Sequence, residues 1–234
     1  MERIVAEVKG KRRYNSSGRQ EQARRNRDAV LQAAERQLNE CGYAGTTVAA
    51  VAGEAGVSVE TVYKAFGGKA GLVRALYERN LAGAGTVSAY ERSDAMRERE
   101  SEPAAILREW GLLTAEVGSM VTPVRLLMRA AAVNDQEMAA LLEDIEDNRL
   151  KRMRHHARYL KDRGYLRDGV SAAEAADVLW VCSSAELYEL LVLKRGWSLP
   201  RFARHITSYM AASLLPVTVQ DGPGGRPAAP EGTT

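Results

Sequence analysis

The sequence predicts an all-α protein: a three-helix front domain with a fourth helix after it, then a longer helical back domain. Three observations carry this. Ala and Leu are plentiful while Phe and Trp are few, a mix that favours helices over a β-sandwich. Apolar residues recur at helical spacing along most of the 234-residue chain. Capping residues, prolines and glycines fall where such helices would begin and end, and no stretch reads as a strand.

Residues 1–18 read as a flexible arm with a basic run, Lys9-Gly10-Lys11-Arg12-Arg13. As a basic arm it would suit a minor groove, and equally it would serve as soluble slack. The front domain is placed at 19–83. Its first helix runs from about Gln20 to Glu40, with Val30, Leu31, Ala34 and Leu38 as the apolar stripe and Gly42 as the stop. Thr46 or Thr47 caps the second helix, and Gly56 ends it. Ser58 caps a third, short helix in which Val62 and Phe66 share one face. A fourth starts near Lys69, turns Leu72, Val73, Leu76 and Tyr77 inward and fades at Gly83.

Residues 91–102, dense in both charges, suit either a helical extension or an exposed linker. The back domain, 84–215, is helical throughout. One helix spans about Pro103–Gly118, and another begins at Thr122-Pro123, a cap followed by proline at the first helical position. A long helix covers about Asp135–Arg163. Ser171 and Glu174 have capping-box spacing and open a helix reaching Lys194-Arg195. The last helix covers about Leu199–Leu215, and the Pro- and Gly-rich stretch 216–234 is expected to be a disordered tail.

Charge narrows the function. Residues 1–83 hold 14 Lys/Arg against 9 Asp/Glu, whereas residues 84–234 hold 19 against 21. A basic front on a near-neutral back suggests a polyanion-binding domain joined to something else. No apolar run is long enough to span a membrane. The first residues lack signal-peptide order, and the two cysteines, Cys41 and Cys182, lie far apart in helical patterns. A cytoplasmic protein is expected.

Residues 46–66 carry the sharpest signal. Two short helices meet through the tight turn Gly56-Val57-Ser58, and small alanines on the first allow close crossing. This is a helix-turn-helix spacing, in which the second helix enters the major groove of double-stranded DNA. With Val62 and Phe66 inward, Val59, Glu60, Thr61 and Lys64 are left outward. Val59 suits a thymine methyl, Glu60 the amino group of cytosine, and Thr61 either donor or acceptor. Tyr63, Lys64 and Lys69 suit phosphates, and Thr47 and Ser58 complete the candidate DNA contacts.

In the order TTVAAVAGEAGVSVETVYKAFGGKAGLVRAL, residues 46–76, the chain resembles the tetracycline-repressor (TetR) family. The Thr pair, the Ala-Gly-Val-Ser turn, Tyr63, Phe66, Lys69 and Leu72 carry the resemblance. It covers about residues 20–83 well, and the back half only in helix count and length. The resemblance implies an all-α homodimer. It implies a four-helix bundle from the last two helices of each chain, here 171–195 and 199–215. It also implies a small-molecule effector bound in the C-terminal domain that changes the separation of the two DNA-reading heads. Such proteins commonly act as repressors on near-palindromic operators. An effector-independent, architectural DNA-binding protein is the alternative reading.

For an apolar effector, Trp110, Met128, Met153 and Trp180 are candidate pocket residues, although each also suits an ordinary core. His155 and His156 are adjacent, hence about 100° apart on a helix, and stand among arginines; they read as a solvated or half-buried face rather than a metal site. No catalytic grouping is found. There is no phosphate-binding glycine loop, no G-x-S-x-G, no H-E-x-x-H and no C-x-x-C. Neither an enzyme, a metal nor a cofactor is expected.

Overall fold

The computed structural model describes residues 16–83 and 87–216, with side chains from Gly18 onward. The basic run at 9–13 and the tail beyond 216 lie outside the described residues. Among the described residues there are helices and no strands. In chain order they are α1 (Ser16–Gly45), α2 (Val48–Ala55), α3 (Val59–Phe66), α4 (Lys69–Ala82), α5 (Ala89–Arg99), α6 (Pro103–Ala132), α7 (Gln136–Asp162), α8 (Ala172–Cys182), α9 (Ala185–Tyr188) with a π-helical continuation (Glu189–Lys194), and α10 (Leu199–Leu214).

The chain divides into two compact units. The first, the head unit, comprises residues up to Asn80 together with Val124–Leu142. The second, the back unit, comprises Leu81–Pro123 and Glu143 onward. Helices α6 and α7 therefore each contribute to both.

In the head unit, α1 packs on α2 and α2 on α3. Val30, Leu31, Ala33, Ala34 and Leu38 of α1, Val51 and Ala52 of α2, Val62 of α3 and Leu72, Val73 and Leu76 of α4 are buried. These are the stripes that helical spacing predicts. Gly42 has φ 67° and breaks the regular helix where a stop is expected, although helical turns resume to Gly45. The passage from α3 to α4 is closer than spacing alone reveals. A Cβ on Gly71 would lie 1.6 Å from the carbonyl oxygen of Phe66, so only glycine fits.

The back unit is built round Ile106, Leu107 and Trp110 of α6, Ala157 and Leu160 of α7, Leu179 of α8, and Phe202 and Ile206 of α10. Tyr188 meets Phe202 edge-on with ring centroids 5.4 Å apart. At Gly111 an added Cβ would approach Thr207 Oγ1 to 2.1 Å and the Ala203 carbonyl to 3.1 Å, so α6 and α10 cross closely there.

Two sequence expectations are corrected and one open alternative is decided. A single helix, α6, runs through Pro123 instead of two separated before Thr122. Proline removes one backbone donor, and buried Val121, Thr122 and Arg125 hold the flanking turns in place. The helix expected over 171–195 is interrupted at Ser183-Ser184. Ser184 accepts the backbone N–H of Leu187 and starts a new helix, which widens into the π-helical turn. Short polar side chains offer the backbone a competing partner there. The charged stretch near 91–102 is helical as far as Arg99, because Ser88 and Glu91 form a reciprocal capping box.

Candidate nucleic-acid interface

The local geometry of α2–turn–α3 follows from its caps. Thr46 is buried, and its hydroxyl donates to the Gly42 carbonyl at 2.7 Å. Thr47 is the exposed cap, its hydroxyl oxygen accepting the Ala50 N–H at 3.1 Å. Gly56 closes α2 in the left-handed conformation, φ 67° and ψ 31°, and the Val57 N–H returns to the Ala52 carbonyl at 3.0 Å. Ser58 opens α3 by accepting the Thr61 N–H at 3.1 Å, and the two hydroxyls are 2.8 Å apart.

Helix α3 buries one residue fully, Val62, at 0% exposure. Phe66 is half-buried, with the Arg27 guanidinium 4.8 Å from its ring centroid. The remaining face is outward. Val59 is 42% and Tyr63 53% exposed, and Glu60, Thr61 and Lys64 are also exposed. An exposed valine and tyrosine amid polar groups form a surface able to meet both base edges and phosphates. The structure thus brings Ser58, Val59, Glu60, Thr61, Tyr63 and Lys64 onto one short helix and its cap, with Thr47 at the start of the helix packed against it.

Lys69 is placed differently from a phosphate-reaching side chain. It is half-buried, donates to the Tyr43 carbonyl at 2.8 Å and lies 4.0 Å from the Tyr43 ring centroid. Tyr43 in turn bonds through its hydroxyl to Asp135, and burial together with that carboxylate pushes the phenol well above its usual range. The Asp135 carboxylate is held below the usual range, first by the Met138 backbone N–H and then by Tyr43. Asp135 thereby caps α7 and ties it to the end of α1 within the head unit.

A second support was not visible in sequence. Glu54 of α2 accepts from Arg36 at 2.5 Å and Gln37 at 2.9 Å, both on α1. These bonds, from Gln37 first and Arg36 second, lower the Glu54 carboxyl. Asp135 stands at a predicted helix start, so its capping role had a signal. Its partnership with Tyr43, and that of Glu54 with α1, join residues too far apart for spacing to reveal.

Of the effector candidates, Trp110 and Met153 belong to the back unit's core or pack against it. Trp180 is half-buried, with the Arg149 guanidinium 4.7 Å from its ring centroid. Met128 is fully buried in the head unit. The two histidines separate: His155 is partly exposed, whereas His156 is buried against Trp110 with ring centroids 4.2 Å apart. Burial, reinforced by Arg152 and Arg97, pushes His156 down to about 3, so it is a neutral core group instead of a solvated one.

A short helix capped at both ends, packed by one valine and otherwise turned outward, defines a helix-turn-helix DNA-binding regulator. Residues 30–76 match the family model described as "Bacterial regulatory proteins, tetR family". The front domain is thus similar to the DNA-binding domain of TetR-family transcriptional regulators. No curated protein matches it. Solved structures share the fold. The SmeT–triclosan complex is 20% identical with a TM-score of 0.64, covering 89% of this chain and 99% of that one. NalD of Pseudomonas aeruginosa, described as the secondary repressor of the MexAB-OprM multidrug efflux pump, is 18% identical with a TM-score of 0.60, covering 86% and 100%. FadR of Bacillus subtilis in complex with stearoyl-CoA is 16% identical with a TM-score of 0.60, covering 78% and 96%. No helix among the described residues is long and apolar enough to cross a membrane.

Proposed function

We propose that this protein is a repressor that binds a near-palindromic operator as a homodimer and is released by a small-molecule effector. The observation that carries the DNA-reading part is the split of α3: Val62 inward, and Val59, Glu60, Thr61, Tyr63 and Lys64 outward. Positions near the start of α3 read base edges, while Tyr63 and Lys64 hold the backbone.

The dimer reading is supported by the far end of the chain. Val181, Leu190, Leu193 and Tyr209 are 42%, 54%, 51% and 49% exposed in the single chain. They lie on α8, the π-helical turn and α10, within the 171–215 stretch assigned to dimerisation. Large apolar groups gathered on consecutive elements favour a partner surface. A second copy is the occupant that operator symmetry requires, because a two-fold protein reads a two-fold site. The effector reading draws on the likeness to the triclosan-bound and stearoyl-CoA-bound structures. In the head unit, the Asp135–Tyr43–Lys69 chain ties α7 to the start of α4, a route by which a shift of α7 would reach the reading helix.

The test is selection of bound sequences from a random DNA pool with the full chain. The expected product is two inverted half-sites at a fixed spacing of about one helical turn, roughly 34–36 Å, or more. A single asymmetric motif, or no enrichment, would overturn the dimeric repressor reading.

A further inference from the structure

The back unit contains a polar knot that an apolar effector would not use. Helix α5 supplies Ser93, Asp94 and Arg97, α6 supplies Trp110, and α7 supplies Arg152, His155 and His156. Asp94 pairs with Arg152 at 2.6 Å and with Arg97 at 3.0 Å, and the His155 Nε2 is 3.5 Å away. Arg152 also donates to the Ser93 hydroxyl at 2.8 Å and to the Tyr90 carbonyl at 2.5 Å. The Trp110 indole N–H donates to the Ser93 carbonyl at 3.2 Å.

Two features of this knot are unbalanced. One carboxylate serves two guanidiniums whose side chains are only 14% and 13% exposed. A buried excess of positive charge is costly unless a further anion joins it. Moreover, Arg152 Nε and His156 Nδ1 are buried without a hydrogen-bond partner, and His156 as a whole is 3% exposed. Buried polar atoms are nearly always paired in folded proteins, so such orphans call for an explanation. A guanidinium Nε only donates, and a neutral imidazole Nδ1 can donate. The missing partner of Arg152 Nε is therefore an acceptor, one that the Nδ1–H tautomer of His156 also suits, and the charge excess makes an anionic acceptor the fitting one. Beside it stand Trp110, with Met96 and Met153 packed against the same core, soft apolar surfaces that suit a hydrocarbon body.

We propose that the α5–α6–α7 knot holds the carboxylate head of an amphipathic acid, with Arg152 and His156 as its donors and the Trp110–Met96–Met153 surface against its apolar part. The proposal rests on the effector-controlled reading above and names the chemical class of that effector. An acid with its own negative charge restores balance to Arg97, Arg152 and Asp94 without breaking the existing pairs.

The experiment titrates the full-length protein with decanoate and, separately, with 1-decanol, following tryptophan fluorescence and thermal unfolding, and repeats both with operator DNA bound. Decanoate is expected to bind about tenfold or more tightly than the alcohol, the worth of a charge-assisted hydrogen bond. Arg152→Met should erase that preference while leaving the alcohol's affinity unchanged. Where Arg152→Met fails to fold, Arg97→Gln, which leaves the Asp94–Arg152 pair intact, should lower the acid's affinity and not the alcohol's. Equal binding of acid and alcohol, absence of decanoate binding, or a preference untouched by the variants would overturn the acidic-head proposal. Tight decanoate binding that leaves DNA affinity unchanged would keep this site and overturn effector release instead.

Discussion

The helices α1–α4 that carry the reading surface and the back unit handle polarity differently. In α1–α4 of the head, polar side chains stand largely outside or close local caps, Thr47 and Ser58 each satisfying a backbone N–H within a few residues, whereas Arg125 of α6, in the same unit, is buried. Arg36 and Glu54 pair at the surface. In the back unit, charge is taken inside. Arg149 is 8% exposed, pairs with Glu146 at 2.6 Å and reaches the Trp180 carbonyl and the Ser183 hydroxyl. His156 and Ser93 are buried as well. A surface built from local bonds presents the same face to any ligand that docks on it. A buried polar network is sensitive to what joins it. That contrast is what the proposed division into a DNA-reading head and an effector-binding body calls for.

The largest expected effect probes the back core. Leu107→Ala, at a fully buried position, should cost about 2–5 kcal/mol of unfolding free energy. Denaturant unfolding measures it, and hydrogen exchange should show opening in α6 and α10 before α2 and α3. Equal loss of protection in both units would dissolve the distinction between them.

Next in size is Gly71→Ala. The added Cβ, 1.6 Å from the Phe66 carbonyl, forces α4 and the end of α3 apart. A destabilisation of about 1–3 kcal/mol or more is expected, with operator affinity falling further than stability alone explains. Gel-shift titration beside a thermal melt checks this; a variant with wild-type affinity would mean that α3 is not held by this contact.

Acid sharpens the comparison. His156 is held at about 3 in the fold, against an ordinary 6.5. The unfolded chain therefore binds the extra proton first. Stability from this group is complete above about pH 6.5 and declines as pH falls toward about 3, by at most about 1.4 kcal/mol per pH unit. Asp94 acts in the same direction at lower pH. Burial opposes its charge, but Arg152, through hydrogen bond and charge, and then Arg97 hold its carboxyl below the usual range. A series of urea melts from pH 7 to 4.5 should show this slope in the wild type and a flatter one in His156→Phe. Parallel slopes would remove His156 from the account.

The smallest expected effect lies in the head. Ser58→Ala removes the α3 cap and should cost about 1 kcal/mol. Circular-dichroism melts check it, and an unchanged midpoint would show that α3 is held by packing alone.

The same contrast explains what the sequence made legible. The head was readable because its signals are short-ranged: caps three residues from their partners, apolar residues at helical spacing and a glycine at the turn. Val62 inward and Tyr63 outward follow from that alone. Lys69 did not, because its inward partner Tyr43 is 26 residues away. In the back unit the decisive contacts join Arg152 to Tyr90 and Arg149 to Trp180, separations of 62 and 31 residues. Spacing shows that α7 is a helix, but not which of its arginines turn inward. Pro123 misled for a related reason: proline at a helix start and proline inside a well-packed helix look alike until the flanking burial is known.

The most direct measurement is a base-preference profile across every operator position for Thr61→Ala and Lys64→Ala, each beside the unaltered protein and repeated over a range of salt. If α3 lies in the groove by its outer face, Thr61→Ala changes the preferred base at a defined position in each half-site. Lys64→Ala then weakens all sequences alike and lowers the salt slope by about 1. Two superimposable profiles, or neither variant altering binding, would contradict the placement of α3 on DNA.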